Sequence, residues 1–272
     1  MVKAELLEHV KGLGDIYVVS APFDEQITAL NKQIIKYPIS VRDASYVRVH
    51  GKTRDGTRTC HTPILAKDSP VIVARVSPLV TNIQMAKQAV QAHINDQYPV
   101  LDNDKSVYAK WEKIAEEDKG KKPENRRAIL LEQRENHKIH KESDQARFLW
   151  LDTREDYFNK FVSGDSVHSC QVSPEAVDSQ DGTIVNYLWF YGPGDGSLLD
   201  FGDRDLDWDD RVLGALRKTS EAGSQKTKFP YTQRELQSQL NRLNRIKEGK
   251  IRVSDLETEV EKVTEFLKKL KQ

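Results

Sequence analysis

The chain has 272 residues, 31% of them charged and 38% hydrophobic, and its 42 Lys+Arg are matched by 42 Asp+Glu. That length can bury one large core or two smaller ones. A balanced charge excludes a global field drawing the chain to nucleic acid or an acidic membrane, so nucleic-acid binding would need a local basic patch.

Two cysteines, Cys60 and Cys170, make neither a disulfide framework nor a zinc spacing, which points to a reducing compartment. No apolar run approaches the ~20 residues of a membrane span, and the N-terminus shows no leader pattern. The expectation is a cytoplasmic or otherwise intracellular protein with no membrane partner.

Lys3 to Lys11 reads as a short amphipathic helix stopped by Gly12 and Gly14, followed by a strand over Ile16–Val19 and a helix from Asp24 to about Lys36. The stretch Ser45–Val76 reads as a three-stranded meander. Asp55-Gly56 lies between strand-like runs and predicts a two-residue hairpin loop. In that register Arg48, His50, Lys52 and Arg54 share one basic face with His61, and the two imidazoles oppose each other at ~5 Å between Cβ atoms. Val71–Val76, apolar on both faces except at Arg75, reads as a buried third strand.

Thr81 or Asn82 is placed to cap a helix running to about Asp96, and Ser106–Glu117 predicts another. Pro123–Val162 reads mostly as helix. The alternative is a pair of strands, Ala128–Leu131 and Phe148–Leu151, around a polar connection. Gly164–Asp181 reads as loop, and Ile184–Tyr191 as a strand returning through Gly192–Gly196 to Ser197–Phe201. An acidic run then leads to a short helix ending near Lys218.

The C-terminus carries two capping boxes, Thr232-x-x-Glu235 and Ser254-x-x-Glu257. Leu236, Leu240 and Leu243 stripe the first helix. Leu256, Val260, Val263, Leu267 and Leu270 follow heptad spacing in the second. The expected organisation is an α+β main domain over 1–222, a linker over 223–228, and an antiparallel, coiled-coil-like helical hairpin over 229–272.

Three stretches bear on chemistry. The basic hairpin face would bind an anion such as phosphate, or its two histidines would share a metal; the plainer reading is a solvated sheet face. Glu132, Asp152 and Asp200 each follow a short apolar run, where converging carboxylates would hold Mg²⁺. The cluster Asp203, Asp205, Asp207, Asp209 and Asp210 fails as a Ca²⁺ loop, with Trp208 in place of the turn glycine and Gly214 in place of the bidentate glutamate. It reads as an acidic helix start. His137 and His140 read as a solvated face, and Trp111, Trp150, Trp189 and Trp208 as core or interface anchors.

The leading function is a non-catalytic structural or assembly protein that needs no cofactor. It self-associates or docks another protein through Leu236 to Leu270, because an isolated two-helix hairpin rarely holds itself. The alternative is a Mg²⁺-dependent phosphodiesterase or nuclease-like enzyme using the three carboxylates and the basic hairpin.

Overall fold

Gly12 and Gly14 both take positive φ, at 84° and 113°. They turn the chain between β1 (Glu5–Val10) and β2 (Gly14–Ser20) in an antiparallel hairpin. The helix expected over Lys3–Lys11 is therefore a strand, because two left-handed glycines one residue apart return the chain instead of ending a helix. After α1 (Phe23–Lys32) comes α2 (Val41–His50), where the sequence predicted the first strand of the meander. Ser40 starts α2, its Oγ accepting the Asp43 N–H at 3.0 Å. Val41, Ala44 and Val47 are buried along one side, so a spacing of three outranks the alternation of Tyr46–His50.

The remaining elements run in chain order. β3 (Thr57–Arg58), β4 (Thr62–Leu65) and β5 (Val71–Ala74) precede α3 (Pro78–Thr81), α4 (Ile83–Ile94) and β6 (Val100–Asp102). Then come α5 (Ser106–Asp118), β7 (Ala128–Leu131), β8 (His137–His140), α6 (Asp144–Trp150) and α7 (Arg154–Phe161). β9 (Ser166–Cys170), α8 (Pro174–Asp178), β10 (Thr183–Val185), β11 (Trp189–Phe190), β12 (Leu199–Asp200) and β13 (Arg211–Leu216) complete the set.

Asn82 caps α4, its side chain accepting the Gln84 and Met85 N–H groups, and α5 begins at the predicted Ser106. In Pro123–Val162 the alternative strand Ala128–Leu131 forms as β7, whereas Phe148–Leu151 is not a strand, its first three residues closing α6. The α-helix there is confined to α6 and α7, and the polar connection holds a strand, β8, that neither reading expected. The stretch expected as loop holds β9 and α8. The helix expected before Lys218 is strand β13, paired with β2 from Arg211↔Ser20 to Leu216↔Asp15.

The architecture is mixed α+β, as expected. One sheet has the order β1-β2-β13-β3-β11-β12-β9-β8 and the other β6-β10-β4-β5-β7. Two segments belong to both sheets. Residues 57–65 leave the larger sheet at β3 and enter the smaller at β4, while residues 183–190 run antiparallel beside them from β10 to β11. Between the ladders the Thr59 N–H donates to the Leu188 carbonyl at 3.0 Å, and the Asn186 N–H to the Pro63 carbonyl at 3.2 Å. The run read as a single strand, Ile184–Tyr191, is thus one extended segment shared by two sheets. It returns antiparallel through β12 as expected.

The smaller sheet is covered on both faces, and residue parity sorts its side chains. Ile64, Ile72, Ala74, Ala128 and Val185 join Leu79, Ala86, Ala89 and Tyr108 in one core. Leu65, Val71, Val73, Ile129, Leu131 and Ile184 face the other way, into a core shared with Val41, Val47, Phe148, Trp150, Tyr157 and Phe190. Strands buried on both sides read as unbroken apolar runs, as Val71–Ala74 does.

The structure, a computed structural model, describes residues 2–216 except 34, 36, 103–104, 193–197, 203–205 and 208–210, together with Val260. The chain divides into two units, Met1–Ser220 and Glu221–Gln272. The expected linker and helical hairpin lie outside the described residues apart from Val260, as do the acidic positions Asp203, Asp205, Asp209 and Asp210. Among the described residues no helix is long and apolar enough to cross a membrane.

Strand β13 provides a test of the larger sheet. A Cβ on Gly214 would lie 2.6 Å from Leu30 Cδ2 and 3.0 Å from Ile35 Cγ2. Gly214→Ala is expected to destabilise the protein by about 1–3 kcal/mol through overpacking, read from the urea midpoint. A helix at this position would gain stability from the same substitution.

Candidate functional site

The five residues expected on one basic face are dispersed, because α2 replaces the first hairpin strand. Arg48, 2% exposed, lies among aromatic rings. Its guanidinium stands 3.8 Å from the Phe190 ring centroid and donates to the Phe190 carbonyl at 2.8 Å, the Asp55 carbonyl at 3.0 Å and the Tyr157 hydroxyl at 3.3 Å. Trp150, Tyr157 and Phe190 pack against one another around it, with centroids 5.4–6.1 Å apart. Burial lowers the Arg48 pKa, opposed chiefly by Tyr157. This cation joins α2, α7, β11 and the loop after α2; buried as it is, it offers no anion site.

His50 is exposed and rests against Tyr46 at 4.3 Å between centroids. Lys52 is exposed as well, its backbone N–H held by the Glu8 carboxylate at 2.9 Å. Arg54 donates to the Gly51 and Thr53 carbonyls and lies over Phe161.

His61 is fully buried where the chain crosses between sheets. Its Nδ1 accepts the Val41 N–H at 3.5 Å, and its ring meets Phe148 edge-on at 6.0 Å. Burial, with the Arg75 guanidinium adding to it, pushes its pKa down to about 3. A neutral imidazole sealed in the core does not oppose His50, so the predicted histidine pair is absent.

The three carboxylates are separated too. Asp152 is gripped by Arg42 through two hydrogen bonds of 2.7 Å, to Nε and Nη2, and that contact holds its pKa below the usual range. Glu132 is exposed at the rim of a cleft beside β7. Asp200, on β12, sits across from Trp189 on one side and Cys170 on the other, and its Oδ1 accepts the Gly202 N–H at 2.8 Å. Among the described residues no three His, Cys, Asp or Glu side chains form a group that could hold a metal ion. His137 Nε2 pairs with Gln145 Oε1 at 3.0 Å, while His140 lies 3.6 Å from Asp165.

The chemistry that sequence missed is structural. Arg75, half-buried, donates to the Arg126 and Pro123 carbonyls and covers Phe148 at 4.5 Å. Asp118 accepts from the Arg127 backbone at 2.6 Å and from Lys121 Nζ at 2.7 Å, closing α5 onto β7. Arg134 holds Asp178 on α8 at 2.5 Å. Buried Cys60, its pKa raised to about 12 by burial, donates to the Arg75 carbonyl at 3.2 Å, an inert thiol.

His61 makes acid stability testable. Its folded pKa of about 3 lies below the ordinary 6.5. The unfolded chain therefore binds a proton in this window that the folded chain refuses. The stabilisation is complete above pH ~6.5 and is lost as pH falls towards 3. Between pH 7 and pH 5 this group accounts for a loss of about 2 kcal/mol. His61→Gln should shrink the difference in urea stability between those pH values by that amount; an unchanged difference would show His61 to titrate normally.

Compared with family models, curated proteins and solved structures, the chain matched none.

Proposed function

We propose that this is a non-catalytic structural or assembly protein that self-associates, or docks a second protein, through the helical hairpin of residues 229–272. The observation that carries the reading is the a/d spacing of Leu256, Val260, Val263, Leu267 and Leu270. It is supported by Val260, which is helical and 46% exposed although it stands on that seam. An apolar heptad stripe gains its stability when a second helix surface removes it from water. Helices in proteins draw most of their stability from packing an amphipathic face, so such a stripe calls for a covering surface.

In the first unit Arg48, Arg75 and His61 fasten elements together. Among the described residues Glu132, Asp152 and Asp200 form no group that could hold a metal ion, which takes away the donor set of the metal-dependent alternative.

Light scattering tests the proposal. The full chain is expected to scatter above its 31.1 kDa monomer mass. The triple substitution Val260→Glu, Val263→Glu, Leu267→Glu should return it to that mass without moving the near-ultraviolet spectrum of the first unit. A variant that keeps the assembled mass removes the seam as the contact. A wild-type chain that already scatters as a monomer removes self-association and leaves docking to another protein.

A further inference from the structure

The two sheets end in four edge strands: β1, β8, β6 and β7. Exposed edges invite pairing with other chains and are usually blunted by bulges, charges or shortness. Three of these edges follow that rule. β1 breaks register between Leu6 and Glu8 and carries Glu5, Glu8 and His9. β8 carries His137, Lys138 and His140. β6 has three residues and an irregular register with β10.

β7 does not follow it. Its sequence, Ala128-Ile-Leu-Leu131, is apolar throughout, and its register with β5 runs unbroken from Val71↔Leu131 to Ala74↔Ala128. It lies instead along a cleft of about 330 Å³ between α5 and the start of α6.

The ladder fixes which main-chain groups face that cleft. The Arg75 N–H donates to the Arg127 carbonyl at 2.8 Å, so this pair is a hydrogen-bonded one. Hydrogen-bonded pairs alternate along an antiparallel ladder. Val73–Ile129 and Val71–Leu131 are then bonded pairs, and Ala128 and Leu130 turn their N–H and C=O groups away from β5. No described residue bonds those groups from the open side.

Ala128 is fully covered, two residues from Arg126, which holds Asp144 in an ion pair on the cleft wall. Leu130 is half-buried and Glu132 exposed, so the cleft is open at this end.

We infer that the β7 edge binds an extended peptide segment of a partner protein, which adds to the smaller sheet as a further strand and places a basic residue against Glu132. At the open end the outward N–H and C=O of Leu130 are a donor and an acceptor that another strand's main chain matches. Charge selects the end residue. Lys119 stands by Glu116 at 3.9 Å and Arg126 by Asp144, whereas Glu132 has no ion-pair partner among the described residues.

The test uses the full chain and a blocked, fluorescent pentapeptide of alternating Val and Thr with Lys at both ends. A Glu-ended counterpart and a version N-methylated at alternate amides serve as controls. The Lys-ended peptide is expected to bind about fivefold more tightly than the Glu-ended one by anisotropy, with Glu132→Lys reversing that order. N-methylation should abolish binding, and hydrogen exchange should show the Leu130 amide protected by the peptide. Leu130→Pro removes an N–H that the β5 ladder does not use and should abolish binding as well. No binding at millimolar peptide, binding that survives N-methylation, or protection elsewhere with Leu130 unchanged would each overturn the inference. Glu132→Lys, an exposed substitution, keeps the charge arm readable should Leu130→Pro fail to fold.

Discussion

The structure depends on the place where two neighbouring chain segments pass from one sheet into the other. A backbone crossing a core must keep its N–H and C=O groups paired, and the regular ladders lapse at this point. Residues 59–62 and 186–188 fill the gap with side chains. The Thr59 Oγ1 donates to the Leu188 carbonyl at 3.2 Å, the Thr62 Oγ1 to the Asn186 carbonyl, and Asn186 Nδ2 to the Phe201 carbonyl at 3.0 Å. That requirement explains why Thr57, Arg58, Thr59, His61 and Thr62, running from β3 into the start of β4, are polar and yet buried. It also explains why His61 is buried: it occupies the crossing, where its Nδ1 receives the first N–H of α2.

With both sheets joined there, the wedge between them must be filled. Helices α2, α6 and α7 supply the filling, and Arg48 closes it. A buried cation without a carboxylate partner is unfavourable by several kcal/mol unless carbonyls and ring faces replace its water. Here two carbonyls, a phenol and the Phe190 face do so. The arrangement ties the loop after α2 to β11, so the position of one sheet's strand is read out through a single guanidinium.

Elements whose signals were local were legible in the sequence. Asn82 marked α4 by its capping chemistry and Ser106 marked α5, while the β11–β12 return followed from strand residues on either side of a glycine-rich stretch of sequence. Elements fixed by distant partners were not. Val41–His50 carries β-branched residues in alternation, yet its burial follows helical spacing because both sheets press on one side of it. Arg211–Leu216 is a strand only because β2 and β3 flank it, and Gly214 is there because α1 lies too close for a side chain. The anion face failed for the same reason. Its register was correct arithmetic for a hairpin, but Asp55 is held by Arg211 and Gly56 lies under the Trp189 ring, 2.9 Å from where a Cβ would sit. Arg48 could not be picked out by type, since arginines are mostly exposed and only the surrounding rings mark this one as core.

The high charge content also takes on a different meaning. Arg42 joins α2 to the turn before α7 through Asp152, Arg134 joins the segment after β7 to α8 through Asp178, and Asp118 joins α5 to the start of β7. Each pair links elements far apart in sequence or bordering a loop, where exposed partners are worth little singly and geometry decides the rest. Charges used this way are taken from the pool available for catalysis or for a binding field. Beside these pairs the first unit also presents main-chain edges, at β1, β6, β7 and β8 among the described residues. The association proposed for residues 229–272 is accordingly argued from apolar spacing and not from these charges.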